Sequence, residues 1–313
     1  MGICALYLTD KNNGPLIQVS EWETRNTWHS IVRTHSGGQE GLFLYDRVEG
    51  NAEFWTLEDR PHSARQVRKV VPASEMFPLI DLVVAGSLSP DYKQDNGLLF
   101  YRKAGGFGAV VTVDDSLEFR TLRDFKDWRD SWDSIVIGPG SQILFSDSAN
   151  RVVQICQYRY EEYPYLIETR TLDRIGYLFT HAVYIPSTWS SGDSYTLLYT
   201  RAPEAPGSGS GQVREGFGGE FLGNLGVSAL NQDWDLFVPG VFQSTASRRE
   251  TWDYFAYSSA AEVIRLHTIA SGGQIIPGEN RQDHVVGGDW THIVRGQWVR
   301  RPDCCDCLLF YKP

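Results

Sequence analysis

Short apolar runs broken by turn residues recur along this chain, and they recur in register. The clearest unit is Trp132-Asp133-Ser134-Ile135-Val136-Ile137-Gly138, matched by Trp234-Asp235-Leu236-Phe237-Val238-Pro239-Gly240 and Trp290-Thr291-His292-Ile293-Val294-Arg295-Gly296. Trp28-His29-Ser30-Ile31-Val32-Arg33-Thr34 keeps all but the glycine, and weaker copies start at Ile80 and Phe179. Each copy is followed by a second apolar run: Leu42 to Tyr45, Leu98 to Tyr101, Ile143 to Ser146, Thr196 to Tyr199, Tyr254 to Tyr257 and Leu308 to Tyr311. A turn of Gly, Asp, Asn or Ser comes next, then a third run such as Ala52 to Leu57 and a more polar fourth such as Gln66 to Val71.

Four strands in a unit of about 50 residues, apolar inside and polar outside, is the pattern of a propeller blade. Six units predict an all-β, six-bladed β-propeller with four antiparallel strands per blade. The expected blades are 28–79, 80–131, 132–178, 179–233, 234–289 and 290–313 completed by 1–27, all in one domain spanning 1–313. The last unit stops two strands in, at Pro313, while the chain begins with two unassigned runs, Ile3 to Leu8 and Pro15 to Val19. The two pieces together make one repeat, so the C-terminal strands are expected to pair with the N-terminal ones, leaving no exposed sheet edge.

The register also stacks equivalent residues. Position two of the repeat holds His29, Asp81, Asp133, Thr180, Asp235 and Thr291; position three contributes His181 and His292; position six contributes Arg33, Tyr184 and Arg295. Asp and Thr where a strand begins commonly bind backbone N–H groups of the preceding turn. The aromatic residues at position one suit wedges between blades. Against that structural reading stands the divergence of the copies, because only packing residues truly repeat. One asymmetric pocket at the axis, with mixed His, Asp, Arg and aromatic walls, accounts for this better than six equal ones. The expected catalytic residues are His181, His292, Arg33 and Arg295, with Trp28, His29, Asp81, Asp133, Tyr184, Asp235 and Trp290 binding substrate.

Composition narrows the chemistry. With 29 Lys+Arg against 39 Asp+Glu, the formal charge of -10 repels nucleic-acid phosphates. No apolar stretch can span a bilayer, and the start MGICALYLTDKNNG lacks the basic and apolar regions of an export signal. A soluble cytoplasmic protein with no membrane partner is expected. The five cysteines, three of them at Cys304, Cys305 and Cys307, do not suit a disulfide framework or a tetrahedral metal site. The turn at Asp10 to Gly14 has oxygens out of step with a calcium loop and reads as a hairpin. Nucleophile elbow, phosphate loop, His-Glu-x-x-His helix and sialidase Asp-box are all missing. No metal or other cofactor is expected. The longest interruption, Ala202 to Gly211, reads as a surface excursion with the composition of a flexible linker.

The Trp-x-x-Ile-Val-x-Gly element followed by Leu-Leu-Phe-Tyr resembles a tandem repeat of microbial β-propeller proteins, some of them sugar-binding lectins. Fucose-binding six-bladed lectins are similar in length and blade count, but their per-blade Arg, Glu and Trp sugar contacts have no matching positions here. The size and degenerate six-blade pattern also resemble the propeller pericyclases of fungal secondary metabolism, including hetero-Diels–Alderases of tropolonic sesquiterpenoid pathways. That resemblance implies a cofactor-independent cyclase acting on small lipophilic substrates. A cycloaddition needs neither nucleophile nor metal, only a near-attack pose and a few donors where charge develops. The alternative is a glycan-binding propeller without catalytic activity.

Overall fold

A computed structural model describes residues 1–10, 16–24, 27–36, 39–57, 65–88, 97–160, 165–172, 179–186, 194–201, 210–219, 221–225, 233–240, 242, 251–270, 275–276, 283–296, 298 and 304–313. Within these the chain is all-β, with two single-turn 3-10 helices at Ala73–Glu75 and Pro139–Ser141. No helix among the described residues is long and apolar enough to cross a membrane. The strands form six antiparallel sheets, and the fold is a six-bladed β-propeller.

The contacts divide the chain into two compact units. The first runs from Trp22 to Arg174, with Met1–Ile3 and Pro313; the second comprises Cys4–Glu21 and Ile175–Lys312. In the first, blade one is built from Ser30–Ser36, Gln39–Tyr45, Ala52–Leu57 and Arg65–Val71 in sequence order. Blade two takes Leu82–Gly86, Gly97–Arg102, Phe107–Val113 and Phe119–Phe125; blade three takes Ser134–Ile137, Gln142–Asp147, Val152–Tyr158 and Leu166–Leu172. In these blades the second strand is the most completely buried: Leu98, Leu99, Phe100 and Tyr101 are each 0% exposed. Both of its faces are packed, which is why the sequence shows a continuous apolar run there rather than alternation. One face joins a core with Phe43, Tyr45, Phe54, Ile80 and Val83, the other a core with Trp132, Ile135, Ile143 and Phe145.

The second unit holds blade four, Tyr195–Thr200 being flanked by His181–Ile185 and Ser210–Glu215, with Phe221–Leu225 outermost. Blade five runs through Leu236–Gly240, Thr251–Ser258 and Val263–Ala270, and its outer strand is split into Ile275–Ile276 and Asp283–Val285, both pairing with Val263–Ala270. The sixth sheet has the order expected of shared chain ends: His292–Gly296, Cys304–Lys312, Gly2–Asp10, Ile17–Thr24. Thr9 and Asp306 clamp it. The Thr9 hydroxyl donates to the Asp306 carbonyl at 2.5 Å and accepts the Asp306 N–H at 3.1 Å.

A bulge between the third and fourth strands recurs at Phe54/Trp55, Thr121/Arg123, Ile155/Cys156 and Val213/Arg214. Bulges add twist at a sheet's rim, and this one falls where each blade passes from apolar to polar strands. The Asp10 to Gly14 hairpin lies outside the described residues apart from Asp10, which ends a strand. So does the Ala202 to Gly211 excursion, apart from Ser210 and Gly211, which begin one. Cys4, Cys156 and Cys307 are buried and form no disulfide. Burial pushes the Cys156 thiol up to about 12, so it is inert as a nucleophile.

Candidate functional site

Position one is structural in both units. Trp28 and Trp290 are 3% and 6% exposed, Trp28 edge-on to Trp55 at 5.9 Å and Trp290 edge-on to Phe310 at 5.5 Å. The Trp290 indole N–H donates to the Val286 carbonyl at 3.2 Å. The backbone N–H at this position is latched by a tyrosine ending the second strand of the preceding blade. Ile80 and Trp132 donate to the Tyr45 and Tyr101 hydroxyls at 3.3 Å, and Trp234 and Trp290 donate to Tyr199 and Tyr257 at 3.1 and 3.2 Å. Burial raises the pKa of all four phenols, that of Tyr101 to about 12, so they remain neutral donors and acceptors.

Position two closes turns and staples neighbours. Asp81 accepts the Lys103 N–H at 2.7 Å within its own blade and pairs with Arg47 of the preceding blade at 2.9 Å. Asp133 binds the Ser148 N–H at 2.9 Å and the Ser148 hydroxyl, and pairs with Lys103 at 3.1 Å. In the second unit Asp235 accepts the Ser259 N–H and hydroxyl at 2.7 Å and pairs with Arg201 at 2.6 Å. His29 accepts the Arg47 N–H at 3.1 Å, and Thr180 accepts the Arg201 N–H at 3.0 Å. Burial opposes ionisation of Asp133, but the Ser148 hydrogen bonds and the Lys103 ammonium outweigh it and hold its carboxyl below the usual range. A carboxylate so saturated is a poor general base.

The two histidines at position three are half-buried. His181 Nδ1 lies 2.9 Å from the Thr180 hydroxyl, its ring packs against Tyr199 and Phe237, and it hydrogen-bonds the Asp235 backbone. Burial lowers its pKa, which keeps the imidazole neutral. His292 Nδ1 lies 3.0 Å from the Thr291 hydroxyl, with its ring 5.8 Å from Tyr311.

Position six differs in kind. Arg33 lies 3.6 Å from Glu40, and Tyr184 sets its ring edge-on to Phe217 and its hydroxyl on Ser194. Arg295 crosses to the next first strand of its unit, donating from Nη1 to the Pro239 carbonyl at 3.2 Å, while Nε lies 3.3 Å from Asp306 Oδ2. The Asp306 side chain is 0% exposed and that of Arg295 is 19% exposed, so the pair is largely buried. A Cβ at Gly240 would stand 2.3 Å from Phe242 Cζ and 2.8 Å from Arg295 Cδ, so glycine makes room for both side chains. Val238, Phe242 and Phe255 supply buried apolar surface on the same blade, the two phenylalanine rings 4.5 Å apart.

No protein-family model matches the sequence, and no curated protein does either. Solved structures do match. A candidate 6-phosphogluconolactonase from Bacteroides fragilis aligns over 90% of this chain and 78% of its own, with 11% identity and a TM-score of 0.55. A protein from Lactobacillus plantarum aligns over 94% and 85%, with 11% identity and a TM-score of 0.51. A streptogramin B lyase aligns over 98% of each chain, with 10% identity and a TM-score of 0.50. At such identities the likeness establishes the propeller fold.

Of the residues nominated from sequence, the structure links Asp81 to Asp133 through Lys103 in the first unit. In the second it links His181 to Asp235, and leaves Arg295 with partners the sequence reading did not select. Asp306 was hidden in a segment whose cysteines drew attention. Its signal is positional, because it stands five residues before Tyr311, as Glu40 stands before Tyr45. Trp298 was also missed: it is 8% exposed, and its indole N–H has no hydrogen-bond partner among the described residues. A buried donor in that state calls for an explanation. Among the described residues no group of three or more His, Cys, Asp or Glu side chains converges as metal ligands.

Proposed function

We propose that the chain is a cofactor-independent cyclase of secondary metabolism, holding a small lipophilic substrate at one asymmetric site for a (hetero-)Diels–Alder type cycloaddition. The observation that carries this reading is a division of labour within the repeat. Polar groups that recur, at positions two and three, are tied into turns and staples, while position six changes from blade to blade: Arg33, Ala85, Ile137, Tyr184, Pro239, Arg295. A multivalent sugar-binding protein requires the opposite, a recurring polar set left open to ligand. Cycloaddition asks for partners held in a near-attack pose and for a fixed donor where negative charge gathers. Arg295, braced by Asp306 and the Pro239 carbonyl, is a donor of that kind, and no step of such a reaction needs the nucleophile motifs that the sequence lacks. The fold neighbours named for a lactonase and a lyase add that catalysis is at home on this scaffold, a fold-level analogy only.

The test is stereochemical. An ortho-quinone methide generated in situ and a terpene alkene give racemic cycloadduct in water; with the full chain present, enantiomerically enriched adduct is expected, and Arg295→Met should reduce the enrichment. Racemic adduct at every protein concentration would reject the cyclase. Glycan titration giving several equivalent sites per chain would replace it with the lectin reading.

A further inference from the structure

In the linker from blade one to blade two a leucine holds a conformation that its role in the repeat does not require. Leu79 has a φ of +56° and is 57% exposed. It directly precedes the Ile80 N–H that Tyr45 latches. The other latches form without such a residue: Ser131, Asp233 and Asp289 precede the latched N–H groups of Trp132, Trp234 and Trp290, and none of the three has a positive φ. Leucine is disfavoured in the left-handed region, and an exposed side chain recovers nothing by burial. Three segments of the first unit meet around it. Arg102 of blade two donates to the Pro78 carbonyl at 3.4 Å, Arg47 pairs with Asp81 at 2.9 Å, and a Cβ on Gly50 would stand 3.3 Å from Ala73 Cβ. Val48 beside Arg47 is 78% exposed, and Pro72, Ala73 and Pro78 are exposed as well.

Apolar surface rimmed by polar groups marks a contact face, and the charges here say what it contacts. Arg102 is held by the Pro78 and Ala104 carbonyls and lies over the Phe107 ring, with no carboxylate partner among the described residues. Glu49 and Glu75 on the neighbouring turn and linker are exposed, and neither forms an ion pair with a described residue. We infer that this face docks a second copy of the chain about a two-fold axis, Leu79 and Val48 meeting apolar residues of the other copy and Arg102 meeting its two glutamates. A two-fold contact needs a patch complementary to itself. This patch is so built, because unpaired cation, unpaired anions and exposed apolar residues lie together on it. The formal charge of -10 makes copies repel in any contact that lacks such local matching. A patch drawn from one turn and one linker gives a small interface, which makes the dimer reversible rather than permanent.

The experiment is sedimentation equilibrium of the full chain across a range of protein concentrations. The unaltered chain is expected to show a reversible monomer–dimer equilibrium. Leu79→Asn keeps a residue that tolerates the left-handed region but removes the apolar contact; it should raise the dimer dissociation constant at least about tenfold without lowering the melting temperature. Arg102→Glu places like charges opposite one another, and so does Glu49→Lys combined with Glu75→Lys, so each of these variants should be monomeric by itself. An equimolar mixture of the two should form heterodimers, because each then supplies the charges the other lacks. If Arg102→Glu does not melt cooperatively, the comparison of the unaltered chain with Leu79→Asn decides. A chain that stays monomeric at its highest soluble concentration overturns the inference. So does a dimer indifferent to Leu79→Asn, a dimer that persists in both charge variants, or a mixture as monomeric as its well-folded components.

Discussion

Gly86 runs so close to the next blade that an added Cβ would lie 2.5 Å from Ile137 Cγ2, and one at Gly240 would lie 2.8 Å from Arg295 Cδ of the next blade as well as 2.3 Å from Phe242 Cζ of its own. In both cases position seven of one blade makes room for a large position-six side chain of the following blade. Where position six is small, as at Ala85, the preceding position seven is Thr34, and where it is Pro239 the preceding residue is Ile185. The repeat's glycine is thus a volume partner of the next blade. Gly86→Ala should cost about 1–3 kcal/mol by overpacking, measured by urea unfolding. Adding Ile137→Ala should remove much of that penalty, so the double variant is more stable than the two single losses predict, by at least about 0.5 kcal/mol. Strict additivity would show that the clash is relieved elsewhere. This coupling was written in the sequence as two separate columns, a glycine and a variable residue, but the link between columns of different blades needs coordinates. Asp306 was illegible for the same reason: it means nothing until Arg295 is seen to point at it.

Strands and turns were more legible, because their signals are local. Second strands announced themselves as continuous apolar runs, and the aspartates of position two were readable as turn-binding groups, but Asp81, Asp133 and Asp235 take the N–H groups of Lys103, Ser148 and Ser259, just after the second strand and not in the preceding turn. What could not be read was the preceding blade's Arg47, Lys103 or Arg201 reaching the same carboxylates. These networks carry a pH signature. Burial lowers the pKa of His181 and of His284, so each favours the folded state fully above the ordinary histidine value near 6.5 and loses that contribution as pH falls through the lowered one. For Asp147, burial opposes ionisation but Ser131 and Asn150 outweigh it; Asp133 behaves likewise, and both carboxyls sit below the usual range. Their contribution is present above about pH 4 and disappears as pH falls through the depressed values. The melting temperature should therefore descend twice on acidification, first below about pH 6.5 and again below about pH 4. His181→Gln with His284→Gln should flatten the first descent and leave the second. A wild-type profile level from pH 7 to pH 5 would contradict the burial of these imidazoles.

At the scale of the whole molecule, one sheet is made from both ends of the chain, and Thr9 and Asp306 bond across 297 residues of sequence. Bringing ends together over such a separation adds little direct enthalpy until the strands register, so this sheet is expected to close late in folding. It is also the sheet on which the Arg295 site depends, because the residue that braces the guanidinium is clamped by the N-terminal strand. Removing residues 1–24 would strip Cys304–Lys312 of its partner strand and leave the buried row of Cys307, Leu308, Leu309 and Phe310 on an open edge. Open apolar edges recruit other chains. The truncated protein is expected to aggregate, and a synthetic peptide of residues 1–24 added during refolding should restore a soluble, cooperatively melting protein by strand addition. The same peptide carrying Thr9→Val should restore solubility more than it restores enantiomeric enrichment of the cycloadduct, since the apolar strand can still pair while the Asp306 backbone loses its clamp. Equal recovery of both properties would separate ring closure from the site, and truncated protein that stays soluble and melts cooperatively by itself would show that the edge is protected in another way.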